Sequence, residues 1–163
     1  MKLAAYHAGQ VTRYHTNPRI ARLGQNNAEH QWGVAVIIDQ LHPNPSVNLY
    51  RAAIRHDGGE LGAGDLAYPF KRSNPDFAAE HERLERLEAI RIGLGMPELT
   101  PEEKDWLAMA DRLESILYVQ LHRPDIIETD PRWARMIADT IDAASKLGVW
   151  IGHLINGEQH VTH

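Results

Sequence analysis

The chain contains no cysteine. That excludes disulfides, thiolate metal sites and a cysteine nucleophile, and it agrees with a reducing cytosol. Long apolar runs are missing as well. No stretch reaches the ~18 apolar residues of a membrane span. The opening Met1-Lys2-Leu3-Ala4-Ala5-Tyr6-His7 has no long apolar core after its lysine. The expectation is a cytoplasmic protein without membrane contact. Excess positive charge is also absent: a formal net charge of −5 argues against a surface for nucleic-acid polymers, while leaving room for a local cationic pocket for a phosphate. No internal repeat, linker or low-complexity tract interrupts the 163 residues, of which 43% are hydrophobic and 24% charged. These values describe one globular domain over 1–163, with enough apolar side chain to bury a sizeable core.

Strand signals are scarce, and proline and glycine divide the chain into helical blocks. A short N-terminal helix is followed by a polar, arginine-bearing loop from about Val11 to Gln25, broken by Pro18 and Gly24. Asn26 or Asn27 caps a helix running to about Leu41, which Pro43 and Pro45 end. A further helix spans about Ser46 to His56, and Gly58 to Phe70 reads as a loop. Asn74-Pro75 opens a helix to about Ile92, and its stretch Glu80 to Leu87 mixes signs at the spacing of a solvated face. Thr100-Pro101-Glu102-Glu103 is a capping box with proline at the first helical position, starting a helix to about His122. Asp130-Pro131 opens the last helix, expected to reach Ile155. The predicted fold class is an all-α, single-domain helical bundle of about six helices.

The chemistry concentrates in Arg55-His56-Asp57-Gly58-Gly59-Glu60, followed by Gly64-Asp65-Leu66. An imidazole and a carboxylate stand side by side there, with two further carboxylates close behind. Adjacent side chains leave a helix about 100° apart, so His56 and Asp57 reach one ion only from a bent or terminating helix, and the glycines supply the bend. Two partners lie on helical segments elsewhere: His30 at the start of an apolar run, and Asp111 within Trp106 to Leu113. His30, His56, Asp57 and Asp111 form a nitrogen and oxygen donor set without thiolate. Such a set suits one divalent transition metal, Co, Mn or Zn first, with Fe or Ni possible in the same geometry. Four protein ligands leave roughly two positions of an octahedral ion open for water and substrate.

In this order on an all-helical chain, these residues resemble the HD-domain metal-dependent phosphohydrolases. The runs Ala28-Glu29-His30, His56 to Glu60 with Gly64-Asp65-Leu66, Pro69-Phe70-Lys71 and Ala110-Asp111-Arg112-Leu113 look like the bacterial YfbR-like 5'-deoxynucleotidases. Compact phage dATP triphosphohydrolases (DatZ-like) are similar in motif and length. The resemblance extends over roughly Arg13 to Val119. It implies metal ligation by His30, His56, Asp57 and Asp111. It also implies that Glu60 orients or deprotonates the attacking water, with Asp65 near the sugar or the water. Arg13-Tyr14 resembles the family's Arg-Trp pair, with Tyr in place of Trp. The resemblance accordingly assigns Arg13 and Lys71 to the substrate phosphate and Tyr14 to stacking. The implied partner is a deoxynucleotide, either a monophosphate losing its 5'-phosphate or a triphosphate losing tripolyphosphate. A non-catalytic nucleotide sensor is the alternative from another class, and a homodimer is the usual state of relatives.

Other features read more simply. Gly58-Gly59 and Gly62-Ala63-Gly64 follow no strand and precede no Gly-Lys-Ser or Gly-Lys-Thr, so they are not a phosphate-cradling loop of that kind. Trp32, Trp106, Trp133 and Trp150 fall at helical apolar positions and are expected in the core or an interface. His15, His42, His81 and His122 are expected to be structural or exposed, and His153, His160 and His163 to be solvated.

Overall fold

The computed structural model describes residues 3–155; His160 and His163 lie outside the described residues. The elements in chain order are α1 (Leu3–His7), α2 (Asn27–Leu41), α3 (Val47–Arg55), α4 (Glu60–Ala63), α5 (Tyr68–Ser73), α6 (Pro75–Ile92), α7 (Pro101–His122), α8 (Pro124–Thr129), α9 (Pro131–Lys146) and α10 (Gly152–Ile155). Two 3-10 turns, Ala8–Gln10 and Ala21–Leu23, lie between α1 and α2. Among the described residues there is no strand, only an isolated antiparallel bridge between Thr12 and Asn26. The domain is all-α, as its sequence predicts, and no described helix is long and apolar enough to cross a membrane.

The starts of the long helices follow from side-chain chemistry. The Asn26 side chain accepts from the Glu29 N–H at 2.9 Å, and Ser46 Oγ accepts from the Leu49 N–H at 3.0 Å. At α7, Thr100 Oγ1 accepts from the Glu103 N–H at 3.2 Å while Glu103 Oε2 accepts from the Thr100 N–H at 2.8 Å. Glu103 also takes the Ser46 hydroxyl, so one carboxylate ties the beginnings of α3 and α7 together.

Helix α7 is the axis of the bundle, packing against α2, α3, α8, α9 and α10. Its residues Trp106, Met109, Leu113 and Ile116 recur at helical spacing and are buried against Val34 and Ile38 of α2 and Leu49 and Ala53 of α3. Helices α4 and α5 pack on α6 at the side of this core. The connection depends on Gly59, where a Cβ would sit 2.1 Å from the Glu85 carbonyl oxygen of α6. A side chain at 59 would push α6 away from the His56-Asp57 corner.

Two expectations need correction. The stretch from Gly58 to Phe70 is not all loop, since α4 and the start of α5 lie within it. Turn-forming glycines and Pro69 conceal one-turn helices that are held by packing on α6 rather than by propensity. The last helix stops at Lys146 instead of running on to Ile155. There the Val149 N–H bonds the Ala144 carbonyl at 2.9 Å and the Gly148 N–H bonds Ser145 at 3.0 Å, with Gly148 at φ +76°, a Schellman stop. Trp106 and Trp133 are buried as expected, whereas Trp32 and Trp150 are 70% and 68% exposed and are not core residues of this chain. His42 packs on the Trp106 ring and His122 on the Tyr118 ring, both in structural roles.

The axial role of α7 makes a quantitative expectation. Leu113 is fully buried, so Leu113→Ala is expected to cost about 2–5 kcal/mol through lost transfer energy and the cavity left behind. Leu121, on the same helix but 78% exposed, is expected to tolerate alanine within about 0.5 kcal/mol. Urea denaturation of both variants checks this, and equal losses would remove α7 from the centre of the core.

Candidate metal centre

Three helical elements deliver the candidate ligands. His30 stands one turn into α2 and is fully buried. His56 caps the end of α3, and Asp57 follows as the helix breaks. Asp111 is near the middle of α7. One donor atom from each of His30, His56 and Asp111 lies within 4.8 Å of the others. His30 Nε2 is 3.1 Å from His56 Nε2 and 3.0 Å from Asp111 Oδ1. Asp57 Oδ2 faces the same point, 3.5 Å from His30 Nε2 and 3.4 Å from His56 Nε2. The fourth expected ligand is thus adjacent to the cluster, but the same oxygen accepts from Arg13 Nη1 at 2.5 Å.

The donor chemistry fits a cation. His56 Nδ1 is 2.9 Å from the Ala53 carbonyl oxygen, which can only accept, so its hydrogen is on Nδ1. His30 Nδ1 is likewise bonded to the Glu114 carboxylate. Both Nε2 lone pairs are then turned toward each other and toward two carboxylates. Such an arrangement is repulsive unless a positive charge sits among the donors. In a metal-free molecule a proton meets that need. Burial works against a charged His30, but its bonds to Asp111 and Glu114 outweigh burial and raise its pKa to about 9. Desolvation also opposes charge on Asp111, yet His30 and His56 hold it well below the usual carboxylate range.

Glu60 opens α4 and is buried beside the cluster. Asn27 Nδ2 donates to its Oε2 at 2.8 Å and to the Asp57 carbonyl at 3.3 Å. Burial, reinforced by the Asp57 charge, pushes Glu60 up to about 8 despite that hydrogen bond. A carboxyl so placed exchanges a proton near neutrality. Asp65 is further out, its Oδ2 3.8 Å from His15 Nδ1, and its charge is felt at Glu60.

The expected phosphate and base contacts are less uniform. The bridge between Thr12 and Asn26 is flanked by Arg13 N–H to the Gln25 carbonyl at 2.9 Å and Asn27 N–H to the Val11 carbonyl at 3.0 Å. It brings Arg13, Gln25 and Asn27 to the centre together. Arg13 then spends Nη1 on Asp57, and its Nη2 is 3.4 Å from Ser115 Oγ, so here it braces a ligand. Its guanidinium carbon lies 5.4 Å from the centre of the Tyr14 ring. Tyr14 has φ +56°, a left-handed conformation that costs a non-glycine residue roughly 1–3 kcal/mol and reverses the chain just after Arg13. Lys71 Nζ is 3.8 Å from Glu85 Oε1, which also pairs with buried His81 at 3.0 Å.

The sequence does not mark Glu114, Gln25 or Ser115 as site residues, and it offers Asn27 only as an alternative helix cap, a role that Asn26 takes. The signal was available for three of them. Glu114 and Ser115 follow Asp111 by three and four residues and share its helix face, and Asn27 precedes His30 by three. Gln25 lies in a loop with no periodicity to mark it. A cavity of about 290 Å³ opens on the centre, lined by His56, Asp111, Met96, Leu99, Leu107 and Lys104 among others. No family model, curated protein or solved structure matches this chain.

The titrations have a definite sign. Glu60 is raised from 4.5 to about 8 and His30 from 6.5 to about 9, so each stabilises the metal-free fold at low pH and loses that contribution as pH rises through its folded value. The thermal midpoint of metal-free protein is expected to fall between about pH 5 and pH 9. Glu60→Gln removes only the lower part of that fall. Added Mn or Zn, if it binds at these donors, is expected to oppose the trend, because ligation takes deprotonated imidazole. A midpoint that rises across this window would contradict the assignment.

Proposed function

We propose that this chain is a divalent-metal-dependent phosphohydrolase of the HD-domain type, acting on the 5'-phosphate of deoxynucleotides to give a deoxynucleoside and phosphate. The observation that carries the reading is the convergence of His30 Nε2, His56 Nε2 and Asp111 Oδ1 within 4.8 Å, with Asp57 and buried Glu60 beside them. A binding module has no need of a carboxyl poised near neutrality next to such a cluster.

His30, His56 and Asp111, with Asp57, would hold the ion. When bound, it supplies Lewis acidity toward a water and a phosphoryl oxygen. No nucleophilic side chain is then required. Glu60, held through one oxygen by Asn27, takes the proton of the attacking water and returns it to the leaving 5'-oxygen. The new bond joins the water oxygen to phosphorus, and the bond that breaks joins phosphorus to the 5'-oxygen. Asp57 remains oriented by Arg13, whose charge Asp57 and Asp111 sustain against the cost of burial. Asp65 belongs to the rim of the same site in this reading, Tyr14 packs on the core with its hydroxyl buried and so backs Arg13 rather than facing the cavity, and Lys71 reaches the phosphate only by leaving Glu85.

The cavity supports a small organic phosphate. Its wall of Met96, Leu99 and Leu107 suits the flat, partly apolar body of a nucleoside, and about 290 Å³ lies at the lower end of ligand-sized pockets. The cations that could meet a substrate phosphate are not equally placed. Lys104 is a lining cation, whereas Arg19 pairs with Asp130 at 3.7 Å and Arg55 donates to the Gly95 carbonyl at 3.1 Å.

The test is a product assay on metal-stripped protein reloaded with Mn, Co or Zn and given dAMP or dATP separately. Phosphate from dAMP is expected, with Glu60→Ala losing about 10²–10⁴-fold in kcat. Lys104→Ala is expected to raise KM with kcat little changed, as loss of a contact equal in ground and transition states does. Tripolyphosphate from dATP would replace the monophosphatase reading with the triphosphohydrolase. Turnover of neither nucleotide by metal-loaded protein would replace both with the sensor.

A further inference from the structure

The two imidazoles of the centre are held by unlike partners. His56 Nδ1 donates to a neutral acceptor, the Ala53 carbonyl of its own helix, at 2.9 Å. His30 Nδ1 instead meets a carboxylate from another helix, Glu114 of α7. Glu114 is buried, with both oxygens committed: Oε2 to His30, and Oε1 to Gln25 Nε2 at 2.7 Å, itself a buried side chain. The backbone of α2 makes room for it. A Cβ on Gly33, one turn after His30, would lie 2.7 Å from Glu114 Cγ, so a methyl group there would displace the carboxylate.

We infer that Glu114 is a positioning residue of the metal centre: held by Gln25, it fixes His30 in the tautomer that presents Nε2 and makes it the stronger and more rigid of the two imidazole donors. The inference rests on the reading of His30, His56 and Asp111 as ligands, and adds a residue that never touches the ion. A carboxylate accepting the Nδ1 hydrogen draws off part of its positive charge and so pushes electron density into the ring, raising the basicity of the opposite nitrogen, and a backbone carbonyl does so less. His30 is accordingly the anchor of the site and His56 the more exchangeable ligand.

The experiment titrates metal-stripped protein with Co²⁺ alone, following the visible absorption of the bound ion and the heat of binding. Glu114→Gln keeps one acceptor but turns an amide toward the amide of Gln25, and is expected to weaken Co²⁺ binding about 10–100-fold. Gly33→Ala, favourable for helix formation in itself, is expected to weaken it in the same direction by crowding Glu114. Combining Glu114→Gln with Gln25→Glu restores the pattern of donors and acceptors, and is expected to recover part of the loss. Should the Glu114 variants fold poorly, ¹H and ¹⁵N NMR of wild-type protein loaded with Zn²⁺ decides the matter: the Nδ1 proton of His30 is expected well downfield of that of His56, as a carboxylate-bonded N–H is. A His30 Nδ1 proton no farther downfield than that of His56, or Co²⁺ affinity of Glu114→Gln within twofold of wild type, overturns the inference. His30→Ala separates the two levels of the argument: if it abolishes binding while Glu114→Gln does not, only the role of Glu114 falls. If wild-type protein takes up no Co²⁺, the metal reading and this inference fall together.

Discussion

Everything at this site depends on burying His30 completely within a helical bundle. A fully enclosed imidazole is costly unless each nitrogen finds a hydrogen-bond partner, and a protonated one unless those partners are anionic. Helix α7 supplies the complement on both sides. Glu114 lies behind the ring, and Asp111, one turn earlier, lies in front of it. The packing of α2 on α7 is therefore set by polar contacts as well as by Val34, Ile38, Met109 and Leu113. The same helix serves the core with one face and the centre with the next.

Charge is layered around that imidazole. Asp57, Asp111 and Glu114 are acidic groups in or near a closed space, answered by the Arg13 guanidinium and by whatever cation the two Nε2 atoms share. Desolvation sharpens each of these interactions, which is why Glu60, buried beside the Asp57 charge, is displaced toward neutrality while Asp111, held by His30 and His56, is displaced the other way. Two carboxyl groups in one site thus hold different protonation states for reasons that are local and separable.

Much of the architecture was legible in the amino-acid order. The capping box at Thr100, the prolines at 75, 101 and 131 and the asparagine before α2 mark helix starts that the structure reproduces, because caps act within a single turn. The short helices α4, α5 and α8 were not legible, since their support comes from distant packing. Nor was the break after Lys146, where one glycine within an otherwise helical pattern takes a left-handed conformation. At the site, His30, His56, Asp57 and Asp111 could be picked out by residue type, and the structure brings them together. Gln25 and Arg13 depend on a single bridge between Thr12 and Asn26, a contact that no periodicity announces. The commitments of Arg13 to Asp57 and of Lys71 to Glu85 are likewise matters of three dimensions.

Lys104, Leu107, Ala108 and Asp111 line the cavity from one face of α7, spaced over two turns or about 10 Å of rise. The wall of the pocket and a member of the His-Asp cluster are therefore marks along one rigid ruler. A substitution at 104, 107 or 108 changes what the pocket measures without moving Asp111, whose position is set by the core face of the same helix. What the pocket admits and how the His-Asp cluster is held are in this way separately adjustable: one edge of a helix can be edited while the cluster stays in register.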